Sequence, residues 1–134
     1  LGMVEALREA GISANEIDYI NMHATSTPVG DISELKAAKR VFGEHKNLSI
    51  SATKSMTGHL LGAAGAIEGI ACILALQEGM IPPTINTENI EPDFKYLFDF
   101  PMGQAKSKEM NYAMSNTFGF GGHIASIIFK KFEG

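Results

Sequence analysis

A layered α/β unit with a mixed sheet is the fold class this sequence predicts. Apolar residues recur at helical spacing in three stretches, and four short runs have strand character. The two kinds of segment follow the order α-β-α-β-α-loop-β-β, and the last two strands read as a hairpin. A chain of 134 residues suffices for one domain with a real core. No internal repeat, low-complexity tract or linker divides it.

Leu1, Val4, Leu7 and Ala10/Ile12 share one helical face, and Gly11 stands where a helix stop is expected. Ser13 to Glu16 reads as a capping-box turn. Ile17 to Met22 is a strand by alternation. The small and turn-forming residues His23 to Asp31 follow, then a helix from about Ile32 to Phe42, with Leu35, Ala38 and Val41/Phe42 inward and Gly43 at its end. Leu48 to Ala52 is a short strand, and Thr53 to Gly62 is polar enough to be a loop. Ala63 to Gln77 is nearly all apolar, which predicts a helix buried on most sides. Gly79 stops it. Pro82 to Pro101 reads as extended loop. Tyr112 to Thr117 and Ile124 to Phe129 are strands joined by Phe118-Gly119-Phe120-Gly121-Gly122.

Hydrophobic residues make up 45% of the chain and charged residues 19%, ordinary proportions for a globular domain. A net charge of -4 argues against a nucleic-acid partner. The longest apolar run, Ile67 to Leu76, is interrupted by Glu68 and is shorter than a membrane span, so no membrane partner is expected. Glu5, Arg8 and Glu9 exclude a secretory h-region at the N-terminus. The single cysteine forbids an intrachain disulfide and is compatible with a reducing cytoplasm. Leu1 has neither an initiator Met nor a helix cap before it, which suggests a cut through a longer protein, or processing.

Three polar clusters sit at loop ends beside strands or the apolar helix: His23, Thr25, Thr27 and Asp31; Lys54 to His59 with Glu68 beyond; and Ser115-Asn116 before the glycine-rich turn. Loops on a rigid scaffold are where side chains are aimed at substrates. Taken alone, His23 reads as a hydrogen-bonded core histidine and Lys54 to His59 as a surface loop. Gly58, Gly62 and Gly65 have neither P-loop nor dinucleotide spacing, and instead let the apolar helix start close to other backbone. The four histidines lack metal-ligand spacing. Cys72 lies mid-helix among apolar residues, with neither a helix N-terminus nor a cation to lower its pKa, and reads as core.

Together the clusters are far more specific. His-x-Thr-x-Thr-x-x-Gly-Asp at His23 to Asp31, Lys-Ser-x-x-Gly-His-x-x-Gly-Ala-Ala-Gly at Lys54 to Gly65, and Asn-x-Phe-Gly-Phe-Gly-Gly at Asn116 to Gly122 occur in that order. This resembles the C-terminal half of the elongating β-ketoacyl-ACP synthases over nearly the whole chain. The resemblance implies half of a thiolase-like fold, layered α-β-α with a five-stranded mixed sheet, spanning residues 1–134. It implies a 3-oxoacyl-ACP synthase that joins malonyl-ACP to an acyl-enzyme thioester by decarboxylative Claisen condensation in fatty-acid elongation. His23 and His59 match the two catalytic histidines, Lys54 the active-site lysine, and Phe120 the gating phenylalanine whose backbone N–H joins an oxyanion hole. Thr25, Thr27, Phe118 and Gly119 fall at substrate-binding positions, and Asp31 and Glu68 in the supporting polar network. Asn21, Glu34, Glu68, Ser115 and Asn116 match a structural monovalent-cation site; no other cofactor is implied. Implied partners are acyl carrier protein (ACP), the N-terminal half of the same enzyme and a second full-length copy. Lys54 and Glu68 would bias His59 towards the neutral form, since a nearby cation disfavours imidazolium.

Ala24 replaces the usual Gly after the first histidine, and His123-Ile124 the usual Thr-Asn after Gly-Gly. The nucleophilic cysteine belongs to the N-terminal half and is not in this chain, so the chain alone is expected to be inactive. An isolated half would expose apolar surface and associate. A non-catalytic, chain-length-factor-like subunit of a polyketide-type synthase is the alternative; retention of His23, His59 and Lys54 speaks against it. A thiolase acting on coenzyme A would carry a cysteine near the glycine-rich turn, and none stands there.

Overall fold

The computed structural model describes all residues, Leu1 to Gly134. Helix α1 (Gly2–Ala10) buries Met3 and Leu7 and ends at Gly11. The Ser13 turn is the expected capping box, its backbone N–H donating to Glu16 Oε2 at 2.8 Å. Strand β1 (Tyr19–Asn21) leads into the His23 loop and helix α2 (Pro28–Phe42). That helix begins four residues before the expected Ile32, because Pro28 occupies its first turn, where the missing N–H costs nothing. Strand β2 (Ser49–Ser51) runs into a one-turn helix, α3 (Lys54–Thr57), within the segment expected to be loop. A 3-10 turn at Leu61–Ala63 then opens helix α4 (Ala64–Glu78).

Strands β3 (Met80–Ile81) and β4 (Lys106–Ser107) pair antiparallel in a separate ribbon. Its two arms lie 25 residues apart in sequence, so no local turn signal announces it. Strands β5 (Tyr112–Phe118) and β6 (Ile124–Lys130) form the expected hairpin. The main sheet has the order β2-β1-β5-β6, parallel across its first three strands and antiparallel at β6. The expected α/β layering and mixed sheet are therefore present, but the sheet has four strands rather than five. The remaining two strands, β3 and β4, stand apart in the ribbon.

Side chains alternate along β1 and β5, so each sheet face meets a different helix. Ile20 and Met114 pack with residues of α1 and α2, including Met3, Leu7, Leu35 and Ala38. Tyr19 and Ala113 pack with Cys72, Ala75 and Leu76 of α4. Cys72 is fully buried, as expected of a core residue, and burial pushes its thiol up to about 12.

Helix α4 departs from expectation. Its inner stripe of Ala64, Glu68, Gly69, Cys72, Ala75 and Leu76 is buried, but Ile67, Ile70, Ile73 and Leu74 are 39–52% exposed. That outer face is only partly covered within this chain. The 3-10 turn also lengthens the apolar stretch beyond Ile67 to Leu76. Residues Leu61–Glu78 are 18 long with a mean hydropathy of 1.4, enough to cross a membrane by length and composition alone. Here the helix forms one layer against the sheet.

Candidate active site

The parallel strands place two polar segments side by side. β1 and β2 end together, at Asn21 opposite Ser51, so the His23 loop and the Lys54 segment leave the sheet at the same edge. The His23 and His59 rings meet edge to face, with centroids 5.4 Å apart. The ring of Phe118, at the end of β5, also packs on His23, with centroids 5.5 Å apart. Three motifs far apart in sequence thus converge on one point.

The electrostatics follow from burial. Lys54 Nζ donates to Glu68 Oε1, and both side chains are almost wholly buried. Loss of solvent raises the Glu68 pKa above the ordinary carboxylate range, more than Lys54 lowers it. Burial, then the Lys54 charge, then His59, push the His23 pKa down to about 4. His23 is therefore a neutral imidazole at any ordinary pH. Leu61 N–H donates to His59 Nδ1 at 3.1 Å, which leaves Nε2 as that ring's donor atom.

Glu34 of α2 is 2% exposed and lies under the His23 turn. Its Oε1 accepts from the His23 backbone N–H and its Oε2 from that of Ala24, each at 3.0 Å. Asn116 Nδ2 adds a longer contact to Oε1 at 3.4 Å, and Ser126 Oγ donates to Asn116 Oδ1 at 2.8 Å. Burial raises the Glu34 pKa to about 7 despite these donors. Ala24 has a φ of 25°, in the left-handed region where a glycine would be unstrained.

Asn21, Glu34, Glu68, Ser115 and Asn116 are all buried. Asn21 lies beside Ser115 in the sheet, and its Nδ2 donates to Thr53 Oγ1 at 3.0 Å. Glu68 Oε2 and Ser115 Oγ have no hydrogen-bond partner. Those two unpartnered atoms are hard oxygen donors, the kind of group a hard cation takes.

A cavity of about 700 Å³ opens beside the site. Thr25, Thr27, Asp31, Lys54 and His59 line one side, and Thr84 to Thr87 with Asn89 to Glu91 the other. Thr25 and Thr27 hydroxyls lie 3.4 Å apart. Burial raises the Asp31 pKa, against backbone donors at Ser26 and Thr27. The Thr84 wall belongs to the stretch that the sequence predicts only as extended loop. It is hooked to the lysine segment: Ala52 N–H donates to Thr84 Oγ1 and Ile85 N–H to Ser55 Oγ, at 3.0 and 2.9 Å. Nothing in the sequence of that wall signals this contact.

Phe120 projects into solvent, 93% exposed, and does not line the cavity. Gly119 N–H donates to His123 O at 2.7 Å, so the His123 that departs from the family pattern closes the turn through its backbone.

The layered α/β unit with its mixed sheet has the thiolase-like fold of the solved ketosynthases. The family model described as beta-ketoacyl synthase, C-terminal domain, matches residues 2–88, and the chain belongs to that family. It is 51% identical over 132 residues to the mitochondrial 3-oxoacyl-[acyl-carrier-protein] synthase of Arabidopsis thaliana, covering 96% of this chain and 28% of that protein. It is 48% identical over 132 residues to 3-oxoacyl-[acyl-carrier-protein] synthase 2 of Staphylococcus aureus, covering 98% of this chain and 31% of that protein. The chain thus spans about a third of the length of these relatives. Among solved structures, the type II polyketide ketosynthase AntDE in complex with its acyl carrier protein AntF superposes with a TM-score of 0.90. It shares 36% identity, covering 98% of this chain and 32% of that one.

Proposed function

We propose that this chain is the decarboxylation half of a 3-oxoacyl-ACP synthase that elongates fatty acids. The observation that carries the reading is the edge-to-face pair of His23 and His59 beside the buried Lys54–Glu68 pair. A neutral imidazole donates a hydrogen bond without surrendering its proton, which is what an enolate oxygen needs.

In this reading malonyl-ACP lies with its thioester oxygen within reach of an N–H on each of the two rings. The bond between its carboxylate carbon and α-carbon breaks, CO2 leaves, and the electron pair forms an enolate. N–H donors on His23 and His59 hold the developing oxyanion, each worth about 3 to 4 kcal/mol. The α-carbon then attacks the thioester carbonyl of an acylated cysteine supplied by the rest of the enzyme. A new carbon–carbon bond forms and the cysteine thiolate departs. Thr25 and Thr27 line the approach to His59 and would bind the substrate's polar arm. Phe118 and Gly119 would bound the acyl side, with Phe120 as a movable gate.

A monovalent cation held by Asn21, Glu34, Glu68, Ser115 and Asn116 would brace the network without taking part in the reaction. Acyl carrier protein is the proposed partner, supported by the structural relative that holds one. The remaining part of the enzyme and a second full-length copy are the others, and the cytoplasm is the proposed location. The test is malonyl-ACP decarboxylation and acyl-ACP condensation by this chain, alone and joined with the N-terminal half. Activity only in the joined form, lost in His23→Ala and His59→Ala, is expected. A folded but inert assembly would overturn the reading in favour of a chain-length-factor-like subunit.

A further inference from the structure

We propose that Ile124, seated on Gly2, is a positioning residue for the glycine turn that carries Phe120. The proposal rests on the reading of that turn as a wall of the active site. No residue from Gly119 to His123 is buried, so packing within the turn does not fix where it stands. Its two stems do. One is Phe118, whose ring packs on His23. The other is Ile124, which stands opposite Phe118 in the ladder. Burial does not account for the isoleucine, which is 54% exposed; its contact with helix α1 does. A Cβ built on Gly2 would lie 2.7 Å from Ile124 Cγ2, closer than two carbons can stand. The isoleucine methyl thus fills the place that a side chain at position 2 would claim. Gly2 opens α1, and buried Met3 and Leu7 fix that helix to the core. The contact therefore pins the start of β6 to a rigid body, through a β-branched side chain that is stiff at χ1. Ile124 is also a position where this chain departs from the pattern it resembles, with an apolar residue in place of a polar one. Because Phe118 and Ile124 are paired, a shift of the second stem carries the first with it, and the phenylalanine ring moves against His23.

Four variants separate this seat from a general packing role. Gly2→Ala puts a methyl where Ile124 Cγ2 stands and should push the stem aside. Ile124→Ala removes that methyl and should leave the stem unpinned. Made together, the two changes exchange one methyl for the other, so the double variant should recover what each single variant loses. Ile124→Val keeps both carbons on Cβ and loses only Cδ1, so it should behave as the unmutated enzyme does.

The experiment uses the full-length enzyme and two readouts. Hydrogen exchange measured by mass spectrometry over residues 118–124 reports the turn and its stems without requiring turnover, with residues 19–21 of β1 as the internal reference. Condensation of acyl-ACP with malonyl-ACP gives kcat and KM. For Gly2→Ala and for Ile124→Ala we expect exchange over the turn faster by about tenfold, with that of β1 unchanged. We also expect kcat lower by about tenfold, with KM for malonyl-ACP changed by less than about twofold. In the double variant both effects should shrink to less than about threefold, and Ile124→Val should stay within about twofold of the unmutated enzyme. Exchange that rises equally over β1 and the turn, a double variant no better than the worse single one, or a valine as damaging as alanine would overturn the proposal. If Gly2→Ala does not fold, the contrast between valine and alanine at position 124 decides alone. Absence of any turnover by the unmutated enzyme would count against the functional reading only, because the exchange comparison stands without it.

Discussion

Lys54 and Glu68 stabilise each other only as a pair, because each alone would be a charge taken out of water. Lys54→Met leaves Glu68 buried without its partner and should cost about 3 to 5 kcal/mol. The double variant Lys54→Met/Glu68→Leu should cost markedly less, since two apolar groups replace the pair. Urea unfolding of the two variants checks this, and equal losses would mean the pair is not coupled. His23 brings a pH dependence of definite sign. Its pKa falls from 6.5 unfolded to about 4 folded, so the unfolded chain binds more protons between those values. Stability from this group is intact above pH 6.5 and is lost as pH falls towards 4. Glu34 acts in the opposite sense. Its pKa rises from 4.5 to about 7, so the folded chain binds more protons there, and stability is lost as pH rises through that window. The two slopes oppose each other between pH 4.5 and 6.5. Replacing His23 with Gln should therefore leave a chain whose unfolding free energy decreases more steeply with rising pH across that range. Denaturant titrations at several pH values measure the slope, and an unchanged slope would place the His23 pKa near its ordinary value.

At the scale of the element, the turn between β5 and β6 depends on glycine. Gly121 and Gly122 have φ values of 76° and 82°, and nothing lies within 4 Å of a Cβ built on Gly122. The cost of Gly122→Ala is thus conformational rather than steric, about 1 to 2 kcal/mol. Gly122→Asn should cost less, because asparagine tolerates the left-handed region. Thermal unfolding of both variants tests the order. Much of this element was legible beforehand: two strand-like runs and a glycine-rich joint can form little except a hairpin. The ribbon of β3 and β4 was not legible, because two residues on each arm carry no periodicity and their pairing is decided by what folds between them. The early start of α2 was signalled by Pro28, a first-turn residue, but the small residues before Ile32 obscured it.

At the scale of the whole molecule, the outer face of α4 is the main departure from a closed domain. Ile70 and Leu74 are each about half exposed on a helix whose opposite stripe is core. This chain corresponds to about a third of its relatives' length, and we expect the face to be covered by the remainder of such an enzyme. The chain alone should therefore self-associate as concentration rises. Ile70→Glu with Leu74→Glu should suppress that association without unfolding the domain. Light scattering together with circular dichroism measures both, and undiminished association would move the interface elsewhere.

Fold class, the burial of Cys72, the capping box at Ser13 and the identity of the histidine, lysine and threonine motifs were all determined by the sequence itself. Each depends on local periodicity, on side-chain type or on residue order, and all of these are written in one dimension. What only the tertiary structure decided was distance. The approach of His23 to His59, the hold of Glu34 on a strained alanine and the hooking of Thr84 to the lysine segment depend on strand order and on which helix meets which sheet face. The same is true of the open side of α4: an apolar run declares that a helix wants to be covered, and only the packed chain reveals how much of it this polypeptide can cover by itself.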